Sequence, residues 1–425
     1  MNTSHENRLL LHCVQASISG DIGDKIKDDI SIPLNWEEVL AAASWHGIAP
    51  VLYRSLTNVS NSGIPKEVMD QLRAAYHGNL ARNMYLYAEL KGILEALREK
   101  DVEVIVLKGA ALAKTVYGDI GLRPMGDIDL LVKKEDLPHA EKIMSGLGYL
   151  FHGNEPIEWY RENHQHISYV HSEKNILVEI HWHIANESHP SLISIMENDI
   201  IEGWWEGAKT IEFSGSKALI LCPDDLIIHL SLHFLKHRFT SQNGLFSSKG
   251  ALIQLCDIFQ TLRHYGEEID WVRLKSKAEK YGIDNPIFTT LFIVKEIIGR
   301  NGDAFRNALC SFAPVSLDRE LIRLMNKKIF TRDEDDRTLV PNTLIQSQVA
   351  TSFQEKVKIL LKGVFPRPEV ISKRHSVPLS SKKIYLYYLI SPFSLLLKYR
   401  NILWNIPRIK EETILKRWIN TRIGM

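Results

Sequence analysis

Two aspartates two residues apart open an apolar run in Arg123-Pro-Met-Gly-Asp-Ile-Asp-Leu-Leu-Val132. In an extended strand, alternation puts Asp127 and Asp129 on one face. Two carboxylates held that close repel each other unless a cation neutralises them. A second apolar run, Ile176-Leu-Val-Glu-Ile-His-Trp182, carries Glu179 in the same setting. There Glu179, His181 and His183 share one face, and Val178, Ile180 and Trp182 the other. If the two strands pair, three oxygen ligands meet. Such a set suits Mg²⁺ or Mn²⁺, which also takes phosphate oxygens and water. The expected chemistry is handling of a nucleoside triphosphate.

Basic and small residues precede the acids. In Leu107-Lys-Gly-Ala110 a strand runs into a helix, whose first N–H groups can hold a phosphate. Gly109 lets a ligand approach the backbone closely, and Gly126 adjoins the first acid. Lys108 and Arg123 are expected to neutralise donor phosphates. The competing reading for each is an ion pair with one of the acids.

Histidines form a second pattern. His229, His233 and His237 recur every four residues, with Asp225 extending the stripe along one helix face. Three readings stay open: a polar stripe facing the catalytic cleft, a transition-metal site, or ordinary surface and core histidines. The stripe lacks the Glu of a His-Glu-x-x-His zincin. On the cleft reading, His181, Asp225, His229 and His233 contact substrate. His181 or His183 could relay a proton. His164, His166 and His171 show no decisive spacing.

These residues need a scaffold, and the chain supplies helix on both sides of a short α/β stretch. Residues 1–98 read as helices throughout. Asn35 is placed as an N-cap with Glu38 three residues on. One helix opens at Pro65, and an amphipathic one spans 83–98. Residues 99–215 carry the strands: 102–107, 127–132, 166–171 and 176–183, with a further edge strand near 211–213. Helices at 110–117 and 136–147 lie between them. Residues 216–350 are read as a helical domain, with helices over 224–238 and 251–265. The expected fold is α+β, mainly helical, with an α/β core inserted between helical regions.

Composition narrows the class. The 425 residues are 45% apolar and 24% charged, ordinary for a globular protein. Charge is uneven: residues 351–425 hold 15 Lys and Arg against 4 Asp and Glu. This basic extension also contains the aromatic-rich run 384–398. It reads as helices packed on the body, as a peripheral membrane contact, or as a grip on an acidic substrate or peptide. The catalytic region shows no basic, aromatic-rich track, which argues against a nucleic-acid partner. No apolar run is long enough to span a bilayer. The polar N-terminus lacks an export signal, and four scattered cysteines contain no CxxC pair. A cytoplasmic protein is expected.

The motifs together resemble the bacterial "uncharacterised nucleotidyltransferase" family of the polymerase-β-type superfamily. The resemblance rests on Lys108-Gly-Ala-Ala-Leu112, the Arg123–Val132 run and Val178-Glu-Ile-His-Trp182. It extends to Asn35-Trp-Glu-Glu38, the stretches 46–54 and 79–83, Cys222-Pro-Asp-Asp-Leu226 and Leu255-Cys-Asp-Ile258, covering about residues 5–265. It implies a polymerase-β-type core with Asp127, Asp129 and Glu179 as catalytic metal ligands. Where the superfamily usually has Gly-Ser, this chain has Gly109-Ala110, so one expected phosphate contact is missing. The implied activity moves a nucleoside monophosphate from an NTP to a hydroxyl or phosphate of an acceptor, with Asp129 or Glu179 taking the acceptor's proton. Family members resemble accessory enzymes of polysaccharide and peptide natural-product clusters, so the resemblance suggests a peptide or saccharide acceptor, while the sequence itself identifies none. Some are linked to sugar addition on a phosphorylated peptide. A glycosyltransferase using a nucleotide sugar is therefore one alternative, and a non-catalytic nucleotide-binding protein another.

Overall fold

The β-branched and leucine-rich runs form a seven-stranded mixed sheet, and helices flank it. A computed structural model describes residues 4–16, 23–59, 63–184, 200–239, 248–299 and 319–331, with scattered positions from 352 to 414. The strands are β1 (Ile105–Val106), β2 (Asp127–Leu131), β3 (Tyr149–Phe151), β4 (His166–His171), β5 (Leu177–His181), β6 (Lys209–Phe213) and β7 (Ser216–Ile220). Their order across the sheet is β3-β4-β5-β2-β1-β7-β6. β2 runs parallel to β5 and antiparallel to β1, while β7 is parallel to β1. The chain is mainly helical around this core, as its sequence implies.

Alternation along the central strands sorts their side chains. Ile128, Leu130, Val132, Val178 and Ile180 join one buried cluster with Leu86, Leu90, Ile93 and Leu97 of helix α5 (Lys66–Arg98) and Ala140 and Met144 of α7 (Leu137–Gly146). The odd-numbered residues, among them Asp127, Asp129, Glu179 and His181, point to the opposite face.

Helices α1 (His5–Ala16), α2 (Gly23–Ile30), α3 (Trp36–Trp45) and α4 (Ala49–Thr57) precede α5. The Asn35 side chain accepts the Glu38 N–H at 3.2 Å and starts α3, as the spacing predicts. The pair of helices expected over 65–98 is one helix of 33 residues. Gly78 does not break it, since its intrahelical bonds continue and the position costs only about 1 kcal/mol relative to alanine. Helix α6 (Lys108–Thr115) begins two residues earlier than the sequence suggests. The strand expected over 102–107 is confined to β1, although Leu107 N–H still donates to Asp129 O at 2.9 Å.

After α8 (Ile157–Asn163) and α9 (Ile200–Gly207) come α10 (Pro223–Phe239), α11 (Ala251–His264), α12 (Trp271–Lys280) and α13 (Asp284–Ile297). The chain divides into two compact units. The first holds 1–235 and 249–317, and the second holds 236–248 and 318–424. In the second, helix α14 (Arg319–Phe330) buries Leu324, Met325 and Ile329, and Lys327 pairs with Glu411 at 2.6 Å. Most of the basic extension, including the greater part of the run 384–398, lies outside the described residues, as does Cys310. Cys13, Cys222 and Cys256 are buried free thiols. No helix among the described residues is long and apolar enough to cross a membrane.

Candidate metal centre

The parallel pairing of β2 with β5 sets Asp129 directly opposite Glu179. With Asp127 two residues upstream, the three carboxylates present oxygens all within 4.8 Å of one another. An all-oxygen donor set of this size fits Mg²⁺ or Mn²⁺. A one-residue slip of β5 would send Glu179 into the apolar cluster, so the packing of Val178 and Ile180 holds the acid in place.

Protein cations and N–H groups meet these acids. Lys108 Nζ lies 2.6 Å from Asp129 Oδ1 and 3.8 Å from Glu179 Oε2. His181 Nε2 lies 3.0 Å from Asp129 Oδ1 and 3.2 Å from Glu179 Oε2. His166 Nε2 is 3.5 Å from Glu179 Oε1. Burial and the neighbouring Asp129 charge push the Asp127 carboxyl up to about 6. Burial also opposes the charge of Asp129, but Lys108 and His181 outweigh it and hold that carboxyl below its usual range. Against the same burial penalty, His181 and Lys108 keep Glu179 well below its usual range. Burial alone would lower the Lys108 ammonium, yet Asp129 and Glu179 raise it.

Arg123 is oriented elsewhere. It donates from Nη2 to Asp257 Oδ2 at 2.8 Å and from Nε to Asp257 Oδ1 at 3.3 Å. Tyr117 Oη donates to the same carboxylate at 2.8 Å. Both basic residues thus make ion pairs in this structure, Lys108 with the acids of the trio and Arg123 with an acid of α11. Burial disfavours the guanidinium charge, and Asp257 more than compensates, raising its affinity for the proton. Asp257 escaped sequence reasoning as a site-supporting residue. Its sequence signals are a lone acid inside the apolar face of α11 and its place in the Leu255-Cys-Asp-Ile258 stretch, to which sequence reading assigns no role.

The two glycines differ. A Cβ at Gly109 would sit 2.7 Å from Arg123 Nη1 and 3.0 Å from Met125 Cγ, so the glycine makes room for protein side chains. Gly126 is exposed, and a Cβ there would meet no atom within 4 Å. The histidine stripe takes up contacts within helical neighbours. Asp225 is fully buried and accepts from Lys277 Nζ at 2.6 Å and 2.9 Å. The His229 ring meets Trp204 edge-on at 5.5 Å, and Gln254 Nε2 lies 3.5 Å from His233 Nδ1. Among the described residues, the metal-competent clusters are Asp127–Asp129–Glu179 and His166–Glu179–His181, and neither includes this stripe.

The loop before β2 is held by α5. Asn79 Nδ2 donates to Gly121 O at 2.7 Å. Asn83, fully buried, donates to Arg123 O at 2.8 Å and also to Ile120 O. These two asparagines lie in the 79–83 stretch and fix the approach to Asp127 from behind.

No curated protein matches the chain. The crystal structure of an antigenic nucleotidyltransferase-like protein from Paracoccidioides brasiliensis aligns at 12% identity, covering 54% of this chain and 94% of that one, with a TM-score of 0.32. That score is too low to bear on fold or function. The family model described as "Uncharacterised nucleotidyltransferase" matches residues 33–299, a span that contains α3 to α13, the whole sheet and the acid trio. The carboxylates assembled by β2 and β5 and this match agree: the chain belongs to the uncharacterised nucleotidyltransferase family of the polymerase-β-type superfamily.

Proposed function

We propose that the protein transfers a nucleoside monophosphate from an NTP to a hydroxyl or phosphate of a peptide or saccharide acceptor. The observation that carries this reading is the pairing of Asp129 with Glu179, beside Asp127, at oxygen separations within 4.8 Å. A divalent cation held by these acids supplies neutralisation of the donor phosphates and activation of the acceptor oxygen. Asp127, Asp129 and Glu179 are assigned to hold it, Mg²⁺ or Mn²⁺ by donor chemistry. Lys108 and His181 keep Asp129 and Glu179 anionic, which favours these two as cation ligands over proton acceptors.

The residues around the trio have assignable roles. Lys108 holds the acids together in the absence of a metal. It is assigned to swing to the donor phosphates when a cation takes its place. Gly126 leaves open space beside Asp127 for the donor. Arg123 acts through position, its guanidinium fixed by Asp257 against the α6 N-terminus. In the transfer, a new bond forms between the acceptor oxygen and the α-phosphorus. The bond to the pyrophosphate oxygen breaks, the electron pair leaves with pyrophosphate, and a hydroxyl acceptor gives up its proton to solvent water.

The test incubates the protein with Mg²⁺, each NTP and, in parallel, nucleotide sugars. Pyrophosphate and nucleoside-diphosphate release are read together. Metal-dependent pyrophosphate release is the expected result. In Asp127→Asn it should fall at least about a hundredfold with the fold intact, because several kcal/mol of charge stabilisation are lost. Release of a nucleoside diphosphate from a nucleotide sugar alone would replace this reading with glycosyl transfer. An unchanged rate in Asp127→Asn would overturn the site.

A further inference from the structure

Across the β4–β5 ladder His166 stands opposite His181. Glu179 lies on the same face of the sheet, two residues before His181. One ligand atom from each of the three falls within 4.8 Å of the others. His166 Nε2 is 3.5 Å from Glu179 Oε1, and His181 Nε2 is 3.2 Å from Glu179 Oε2. Tetrahedral ligands bound at zinc-like distances sit about 3.3 Å apart. Both contacts already have that spacing, one through each oxygen of the carboxylate. Two imidazoles and one carboxylate are a nitrogen-rich set, unlike the all-oxygen trio next to it. They select zinc-class ions over Mg²⁺.

A second observation lies behind His166. Gln165 is buried to 1% exposure, and its Nε2 is 3.1 Å from His166 Nδ1. Its Oε1 is buried with no hydrogen-bond partner. An imidazole that gives its Nε2 lone pair to a cation carries its proton on Nδ1 and needs an acceptor there. Turning the Gln165 amide over presents Oε1 to that proton. In that orientation the buried Gln165 amide is the outer-sphere partner that a metal-binding His166 requires.

We propose that His166, His181 and Glu179 form a second cation site of zinc class, which shares Glu179 with the acid trio. The Asp129 carboxylate lies beside this site, its Oδ1 3.0 Å from His181 Nε2. The site does not depend on nucleotidyl transfer: it stands or falls on metal chemistry alone.

The full chain, stripped with a chelator, would be titrated with Co²⁺ and followed by visible absorption. Zn²⁺ affinity would be measured by competition with a chromophoric chelator in the presence of excess Mg²⁺. One equivalent of Co²⁺ should give the intense bands of a low-coordinate ion, displaced by Zn²⁺ and not by Mg²⁺. His166→Ala should weaken Zn²⁺ binding at least about a hundredfold, and Gln165→Leu about tenfold, the usual scale for losing an outer-sphere partner. Gln165→Leu carries the test if His166→Ala fails to fold, which circular dichroism would show. Asp127→Asn should bind Zn²⁺ as the wild type does. Absence of a low-coordinate Co²⁺ spectrum would overturn the proposal. So would wild-type Zn²⁺ affinity in the folded His166→Ala or Gln165→Leu variants, or loss of Zn²⁺ binding in Asp127→Asn alone. Failure of pyrophosphate release with intact Zn²⁺ binding would count against the transferase reading and leave this site standing.

Discussion

Asp127 carries the least comfortable charge of the trio, and its discomfort has a measurable sign. In the unfolded chain an aspartate titrates at about 3.9. In the folded, metal-free chain burial and Asp129 push Asp127 up to about 6. Between those values the folded state binds more protons than the unfolded one, so this residue's contribution to stability falls as pH rises from about 4 to about 6. The stabilisation is fully present below the unfolded value and gone above the folded one. Asp129 and Glu179 act with the opposite sign, since their carboxyls are held low. Their contribution is present above the unfolded values and is lost as pH falls through their depressed folded ones. Comparison with Asp127→Asn isolates the first term. In chelator-treated protein, urea midpoints of wild type and variant should be similar near pH 4. By pH 7 the variant should be the more stable, by about 2 kcal/mol. Equal midpoints at pH 7 would show that the Asp127 charge costs nothing there. The same substitution is expected to abolish turnover, so stability and activity should move in opposite directions.

At the scale of elements, α5 is the part that sequence reading divided and the structure joins. Its apolar face packs on the sheet, and its polar residues Asn79 and Asn83 reach the loop that delivers Asp127. Replacing Asn83 by Ala leaves the part-buried Arg123 and Ile120 carbonyls without this donor. The cost should be about 1–3 kcal/mol in a denaturation midpoint. The legible parts share one property, a local period. The Asp127–Val132 and Leu177–His181 alternations, the β4–β5 hairpin and the Asn35 cap are all written within a few consecutive residues. The acid trio was legible because strand period places its members on one face. What was missed depends on distant partners. β3 is three residues long and exists by pairing with β4. β7 is held by parallel pairing with β1 across more than a hundred residues. The Arg123–Asp257 pair and the facing of His166 with His181 likewise appear only when separate segments meet.

At the scale of the whole molecule, the centre is assembled from chain segments that meet only in the finished sheet. Asp129 and Glu179 are neighbours across β2 and β5, yet β3 and β4 must be laid down beyond them in the same sheet. Behind them, Asp257 of α11 must reach back to Arg123 and Tyr117. Long-range pairing of this kind forms late, because loop closure precedes its reward. A cation that needs all three acids therefore finds no partner in the unfolded chain and little in the transition state. Saturating Mg²⁺ should slow unfolding by the full factor of its stabilisation and leave the refolding rate unchanged, as stopped-flow urea jumps would show. Faster refolding with Mg²⁺ would mean that β2 and β5 pair early. Kinetically, the metal would act as a latch on a closed door rather than a hand that closes it, and the lifetime of the folded chain would follow the free Mg²⁺ around it.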